Sequence, residues 1–119
     1  MVELNKDFMA SALAPLILII LRQQESYGYQ IIQELKEKTG GELNVAEGTL
    51  YPVLKKMESK KWIEGEWKKA DSGRARRYYV LTSKGKGELE EQYAQMNFIN
   101  DLINKLWNLS TSTRLFSIM

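Results

Sequence analysis

The 119-residue chain contains no cysteine and no histidine. The first absence excludes disulfides and thiolate metal sites outright. The second removes the commonest general base, the commonest metal ligand and the usual partner of a catalytic serine. Only carboxylate or lysine chemistry is left for an enzyme, and no glycine-rich phosphate loop accompanies it. The expectation is therefore a non-enzyme with no metal and no cofactor. Long apolar runs are missing too. The longest, Leu16 to Leu21, is far short of the roughly 20 residues that span a bilayer. The opening stretch, Met1 to Asp7, lacks the basic start and small-residue cleavage site of a secretory signal. A cytoplasmic protein with no membrane contact is expected.

What is present points to one domain, or one domain with an appended helix: 44% of residues are hydrophobic and 27% charged, ordinary for a globular chain. The net charge of +2 is unevenly spread. Nine basic residues against four acidic ones lie between Lys55 and Arg77, so that segment carries +5 and the remainder −3. Such a block fits a face that meets a polyanion; it also fits an ordinary solvated surface.

Hydrophobic periodicity organises the rest. Met9, Leu13, Leu16, Ile17 and Ile20 fall at helical steps over Asp7 to Gln23, with Pro15 expected to kink or locally break the helix. A second helix runs from Tyr27–Gly28 to about Lys38, with Ser26 as its N-cap and Gly40–Gly41 ending it. A third starts near Ala46, where Asn44 and Glu47 have capping-box spacing; Leu50, Val53, Leu54 and Met57 face inward. Trp62 to Lys68 and Arg77 to Leu81 read as the two strands of a hairpin around a polar tip, with Trp62 and Trp67 as core beneath it. The last helix begins after Thr82 and extends to about Asn108. Along it Leu89, Tyr93, Met96, Ile99, Ile103 and Leu106 repeat at steps of four or three, the spacing of a coiled-coil-like seam.

Three helices followed by a two-stranded wing give a mainly α fold, the winged helix-turn-helix plan, with a long C-terminal dimerisation helix. The corresponding divisions are residues 1–82, 83–109 and a tail, 110–119, either disordered or packed without a readable period. In this plan the third helix reads DNA. Glu47, Thr49 and Tyr51 are placed to reach base edges, and Lys55 and Lys56 to reach phosphates. Lys68, Lys69, Arg74 and Arg76 supply cations to the wing, while Arg77 has the alternative of pairing within the fold. Each residue also has a structural reading. Tyr27, Tyr29, Tyr78 and Tyr79 fit packing, Gly28 fits a close helix approach, and Thr49 could serve the helix start. Leu89, Tyr93, Met96, Ile99, Ile103 and Leu106 are the expected dimer seam.

Three stretches resemble the signature segments of PadR-family regulators: Tyr27-Gly-Tyr-Gln-Ile31; Glu47-Gly-Thr-Leu-Tyr-Pro52 followed by Leu54-Lys-Lys; and Gly73-Arg-Ala-Arg-Arg-Tyr-Tyr-Val-Leu-Thr-Ser-Lys-Gly85. The resemblance spans about Ala14 to Gly87. It implies a bacterial dimeric repressor that binds a roughly palindromic duplex, and in many members a small, often aromatic or toxic, compound releases the DNA. In the branch with one short terminal helix, some members stack flat ligands on an aromatic residue of that helix. The matching position here is Met96, with Trp107 a second candidate for effector contact. The family usually closes the recognition helix with glycine, where this chain reads Lys60-Lys61-Trp62; a longer or strained helix end is expected. A winged-helix protein–protein adaptor with no operator is the alternative, and nine cations in one segment argue against it.

Overall fold

The computed structural model describes residues 2–118, those from 113 onward by their backbone alone. Its elements are α1 (Lys6–Gln23), β1 (Ser26–Tyr27), α2 (Gly28–Lys38), α3 (Glu47–Ser59), β2 (Ile63–Lys69), β3 (Ala75–Leu81) and α4 (Ser83–Ile118). They divide into two compact units, residues 1–89 and residues 90–119.

In the first unit, α1, α2 and α3 converge on one apolar core. Leu13, Ile17, Leu18, Ile31, Leu50 and Leu54 are fully buried there, joined by Met57, Ile63, Tyr79 and Leu89. The Asn5 side chain accepts a bond from the Phe8 amide at 2.9 Å and so starts α1. This helix continues unbroken across the buried Pro15. The lost backbone bond falls in a helix whose inward face is held by core packing, which is where most helical stability in proteins originates.

Two caps differ from the sequence expectation. Ser26 does not cap α2. It is extended, fully buried and paired with Tyr79 as part of β1, and the N-cap position falls on Tyr27 with no side-chain bond. The wing hairpin therefore gains a short third strand, in the order β1-β3-β2. Asn44 does not cap α3 either: its amide donates to the Gly41 carbonyl at 3.3 Å, and Ala46 occupies the N-cap without a side-chain bond. The Asn44–Glu47 spacing imitates a capping box, but the helix begins two residues too late to use it.

Both helices end in the same way. At α2, the Gly41 amide bonds Lys36 O at 2.8 Å and the Gly40 amide bonds Glu37 O at 3.1 Å, with both glycines at positive φ. This paired pattern satisfies carbonyls left over by the helix. At α3 the same two bonds recur, from Trp62 N to Met57 O at 3.1 Å and from Lys61 N to Glu58 O at 2.9 Å. Here the left-handed residue is Lys61, at φ 63°. Of the two outcomes expected from the missing glycine, the helix takes the strained end.

That joint is tied down by Thr82. Its hydroxyl lies 2.7 Å from Lys61 O and 2.9 Å from Trp62 O, and it accepts from the Gly85 amide at 2.9 Å. Thr82 thereby caps the start of α4 and fixes the α3–β2 turn against it. Gly85 is required at this contact, because a side chain there would collide with the Trp62 carbonyl. The helix α4 runs past Asn108, where the hydrophobic repeat ends, to Ile118. Met119 lies outside the described residues.

Candidate nucleic-acid interface

Helix α3 buries Leu50, Leu54 and Met57, which fixes the direction its remaining residues face. At 100° per residue, Glu47, Tyr51 and Lys55 lie on one flank of the outward arc. Thr49 and Lys56 lie on the other, with Gly48 and Pro52 between. The structure agrees with this division. Tyr51 and Glu47 line a groove toward the wing, whereas Thr49 lines one beside Leu4, Lys6 and Met9 at the start of α1. The three residues expected to read bases thus lie on two sides of the helix rather than in one row, with Glu47 and Tyr51 exposed and Thr49 half-buried. Gly48 was not singled out in the sequence; a Cβ built there meets nothing within 4 Å, so the bare backbone faces open space.

Tyr51 is held by its neighbour. Its ring lies so close to Gly28 that any Cβ at that position would overlap the phenol, and 43% of the residue remains exposed. The sequence Tyr27-Gly28 thus serves Tyr51: glycine at the start of α2 gives the ring a flat seat, and its outer edge stays available.

Cations surround this face, and the wing distributes them unequally. Lys55, Lys56, Lys69 and Arg74 are exposed, and no ion pair among the described residues engages them. Lys68 is different: its amine sits 2.8 Å and 2.9 Å from the two carboxylate oxygens of Glu25. That hydrogen bond holds its pKa above the ordinary lysine value, with the Glu25 and Glu66 charges adding to it and partial desolvation opposing it. Arg76 is stacked over the Tyr27 ring at 4.3 Å, and Tyr27 meets Tyr78 edge-on at 5.3 Å. Arg77 pairs with Glu58 at 2.7 Å, the intramolecular alternative open to it in the sequence. This hydrogen bond raises its pKa, and the guanidinium also lies 5.9 Å from the rings of Trp67 and Tyr79. Burial pushes the Tyr79 phenol up, reinforced by the nearby Glu58 charge.

Two aromatic expectations are corrected. Trp67 is not core: it is 66% exposed. It shares the helix-facing side of β2 with the buried Ile63, but lies nearer the tip, where the strand is exposed. Tyr29 is likewise half exposed rather than packed. Both line an open groove of about 720 Å³ between the starts of α2 and α3 and the wing, with Tyr51, Glu47, Arg74 and Arg76. Strand alternation assigned Trp67 to the correct face; it carried no information on how far the core extends beneath that face. Tyr78 is half-buried and Tyr79 buried, as packing required.

Residues 90–119 are helical to Ile118. Tyr93, Met96, Ile99, Ile103, Leu106 and Trp107 are all exposed, as are Phe98, Leu102 and Leu109. Leu89, first in the expected seam, is instead 3% exposed and part of the core of the first unit. The repeat counted it correctly as an inward apolar position, but the partner it finds is its own domain. Among the described residues no group of acidic side chains could hold a metal ion, and no helix is long and apolar enough to cross a membrane.

Residues 17–91 match the model of the Transcriptional regulator PadR-like family. A PadR family transcription regulator from Clostridium difficile is 35% identical, with 79% of this chain and 96% of that one covered and a TM-score of 0.69. A PadR-like transcriptional regulator from Bacillus cereus is 34% identical, with coverage of 84% and 95% and a TM-score of 0.70. An uncharacterized protein from Lysinibacillus sphaericus is 34% identical over 101 residues, or 82% of this chain and 93% of that one. With a matched helix-turn-helix, a wing joined to it and cations along both, the chain belongs to the PadR-like family and is a DNA-binding winged-helix regulator of transcription, not an enzyme.

Proposed function

We propose that the chain acts as a homodimeric repressor that binds a roughly palindromic operator and leaves it when a small molecule binds. Two copies of α4 pair along the stripe of Tyr93, Met96, Ile99, Ile103 and Leu106. Two α3 helices then enter successive major grooves, about 34 Å apart. Tyr51 and Glu47 approach base edges from the wing side and Thr49 from the other. Lys55, Lys56, Lys69 and Arg74 hold phosphates, with Lys68 and Arg76 contributing once they leave Glu25 and Tyr27.

The observation that carries the dimer is the exposure of nine large apolar side chains between Tyr93 and Leu109. A contiguous apolar surface of that kind on one helix calls for a partner, and an identical helix supplies the complementary spacing. An effector that inserts at Met96 and Trp107 changes how the two helices pair. It acts by favouring a dimer whose recognition helices no longer match the groove spacing. Methionine suits an adaptable apolar site of this kind.

Fluorescence anisotropy against pooled duplex DNA at several salt concentrations tests the reading, with sedimentation velocity reporting the oligomer. Binding should weaken steeply with salt and drop in the Lys55→Ala, Arg74→Ala, Arg76→Ala variant, while the protein sediments as a dimer. Salt-insensitive or absent binding by an intact dimer sinks the operator and favours a protein partner. An effector that leaves operator affinity unchanged sinks the release mechanism alone.

A further inference from the structure

Trp67 lies on the helix-facing side of β2, two residues before the strand ends at Lys69. Four residues earlier on the same side Ile63 is buried, yet the indole of Trp67 is largely in solvent. Its ring contact is Arg77 across the ladder, 5.9 Å away, and that guanidinium is already paired with Glu58. The wing thus presents a large apolar ring that the fold does not use. The groove beside it collects three more partly exposed rings, Tyr27, Tyr29 and Tyr51, together with Arg74, Arg76, the already paired Arg77 and a single carboxylate, Glu47. Apolar rings and cations in one groove complement a chain of deoxyribose faces and phosphates. An acidic or purely apolar partner would leave half of that lining unmatched.

We propose that Trp67 is a DNA contact, and that the groove it closes seats one sugar–phosphate strand of the duplex between the wing and the start of α3. This inference rests on the DNA-binding reading of α3 and the wing. The indole packs its face on a deoxyribose and donates its N–H to a phosphate oxygen, using the apolar body and polar edge that suit tryptophan to half-wet interfaces. Arg74 neutralises the adjacent phosphate. Tyr51 fixes the inner wall, because Gly28 holds its ring in place.

The contact is uncharged, and that makes it separable from the cationic ones. In titrations of a bound duplex at several salt concentrations, Trp67→Ala should weaken affinity about tenfold and leave the slope of log K against log salt unchanged. Arg74→Ala should lower that slope by about one. Trp67→Phe should recover most of the affinity, and the thermal midpoint of Trp67→Ala should equal that of the wild type because the ring is solvent-exposed. In a Trp62→Phe, Trp107→Phe protein, the remaining Trp67 emission should change on adding duplex and return at high salt. Wild-type affinity in Trp67→Ala with unaltered Trp67 emission overturns this proposal and leaves the DNA reading standing. Failure of the wild-type protein to bind duplex at any salt overturns both.

Discussion

In residues 1–89, Leu13, Ile17, Leu54 and Ile63 are shut away from water; in residues 90–112, Ile99, Ile103, Leu106 and Trp107 stand in it. Both stretches space apolar residues at three- and four-residue steps. The difference lies in what surrounds them. The first has α1, α2, α3 and a sheet to close over its stripes, and the second is a single helix. Identical patterning therefore yields a finished interior in one region and an unfinished one in the other, and an isolated helix gains little stability without a packed face. That contrast is the physical basis for the proposal that the second unit is the part that pairs.

The sharpest way to break the comparison is to make the same truncation in both regions. Leu54→Ala should cost about 3 kcal/mol in chemical denaturation, independent of protein concentration. Leu106→Ala should leave the dilute protein's unfolding midpoint unchanged and show its loss only as concentration rises. If both behave alike, the two regions do not differ as described. Next in size, Ile99→Glu with Ile103→Glu places two carboxylates in the proposed seam. Burying them unpaired is unfavourable, so dimer dissociation by sedimentation equilibrium should rise about a hundredfold, or about 2.7 kcal/mol. The melting of a Leu54-centred core should stay in place.

Smaller effects probe the joint where α4 begins. Thr82→Ala removes the hydroxyl that caps α4 and engages Lys61 O and Trp62 O, and thermal unfolding should report a loss of about 1 kcal/mol; Thr82→Ser should restore most of it. Lys61→Gly should do the reverse. Relieving the left-handed lysine at φ 63° should stabilise the protein by about 0.5 kcal/mol once glycine's extra unfolded-state freedom is subtracted. A loss of stability in Lys61→Gly would mean that the lysine side chain, not its backbone, matters at this turn.

Much of the molecule is legible in the sequence. Every helix, the hairpin and the Gly40–Gly41 stop follow from local spacing and turn chemistry; the missing glycine after α3 left a longer or a strained end open, and the structure puts the strain on Lys61. The misreadings share one origin. Ser26 resembles a cap but is drawn into β1 by Tyr79, a partner 53 residues away. Asn44 and Glu47 sit at capping distance, yet backbone geometry starts the helix at Glu47. Leu89 and Trp67 were each given the right face and the wrong surroundings: one lies over the core, the other beyond its edge.

The sequence by itself determined the four helices and the hairpin, their order, the basic segment and the family resemblance, because helical period, glycine stops and charge runs are properties of neighbours along the chain. Only the tertiary structure decided that Lys68 and Arg77 are paired while Arg74 is not, and that Trp67 and Tyr29 open onto a groove beside α3. Ion pairs, exposure and grooves depend on distances between residues remote in sequence, and periodicity carries no record of those distances.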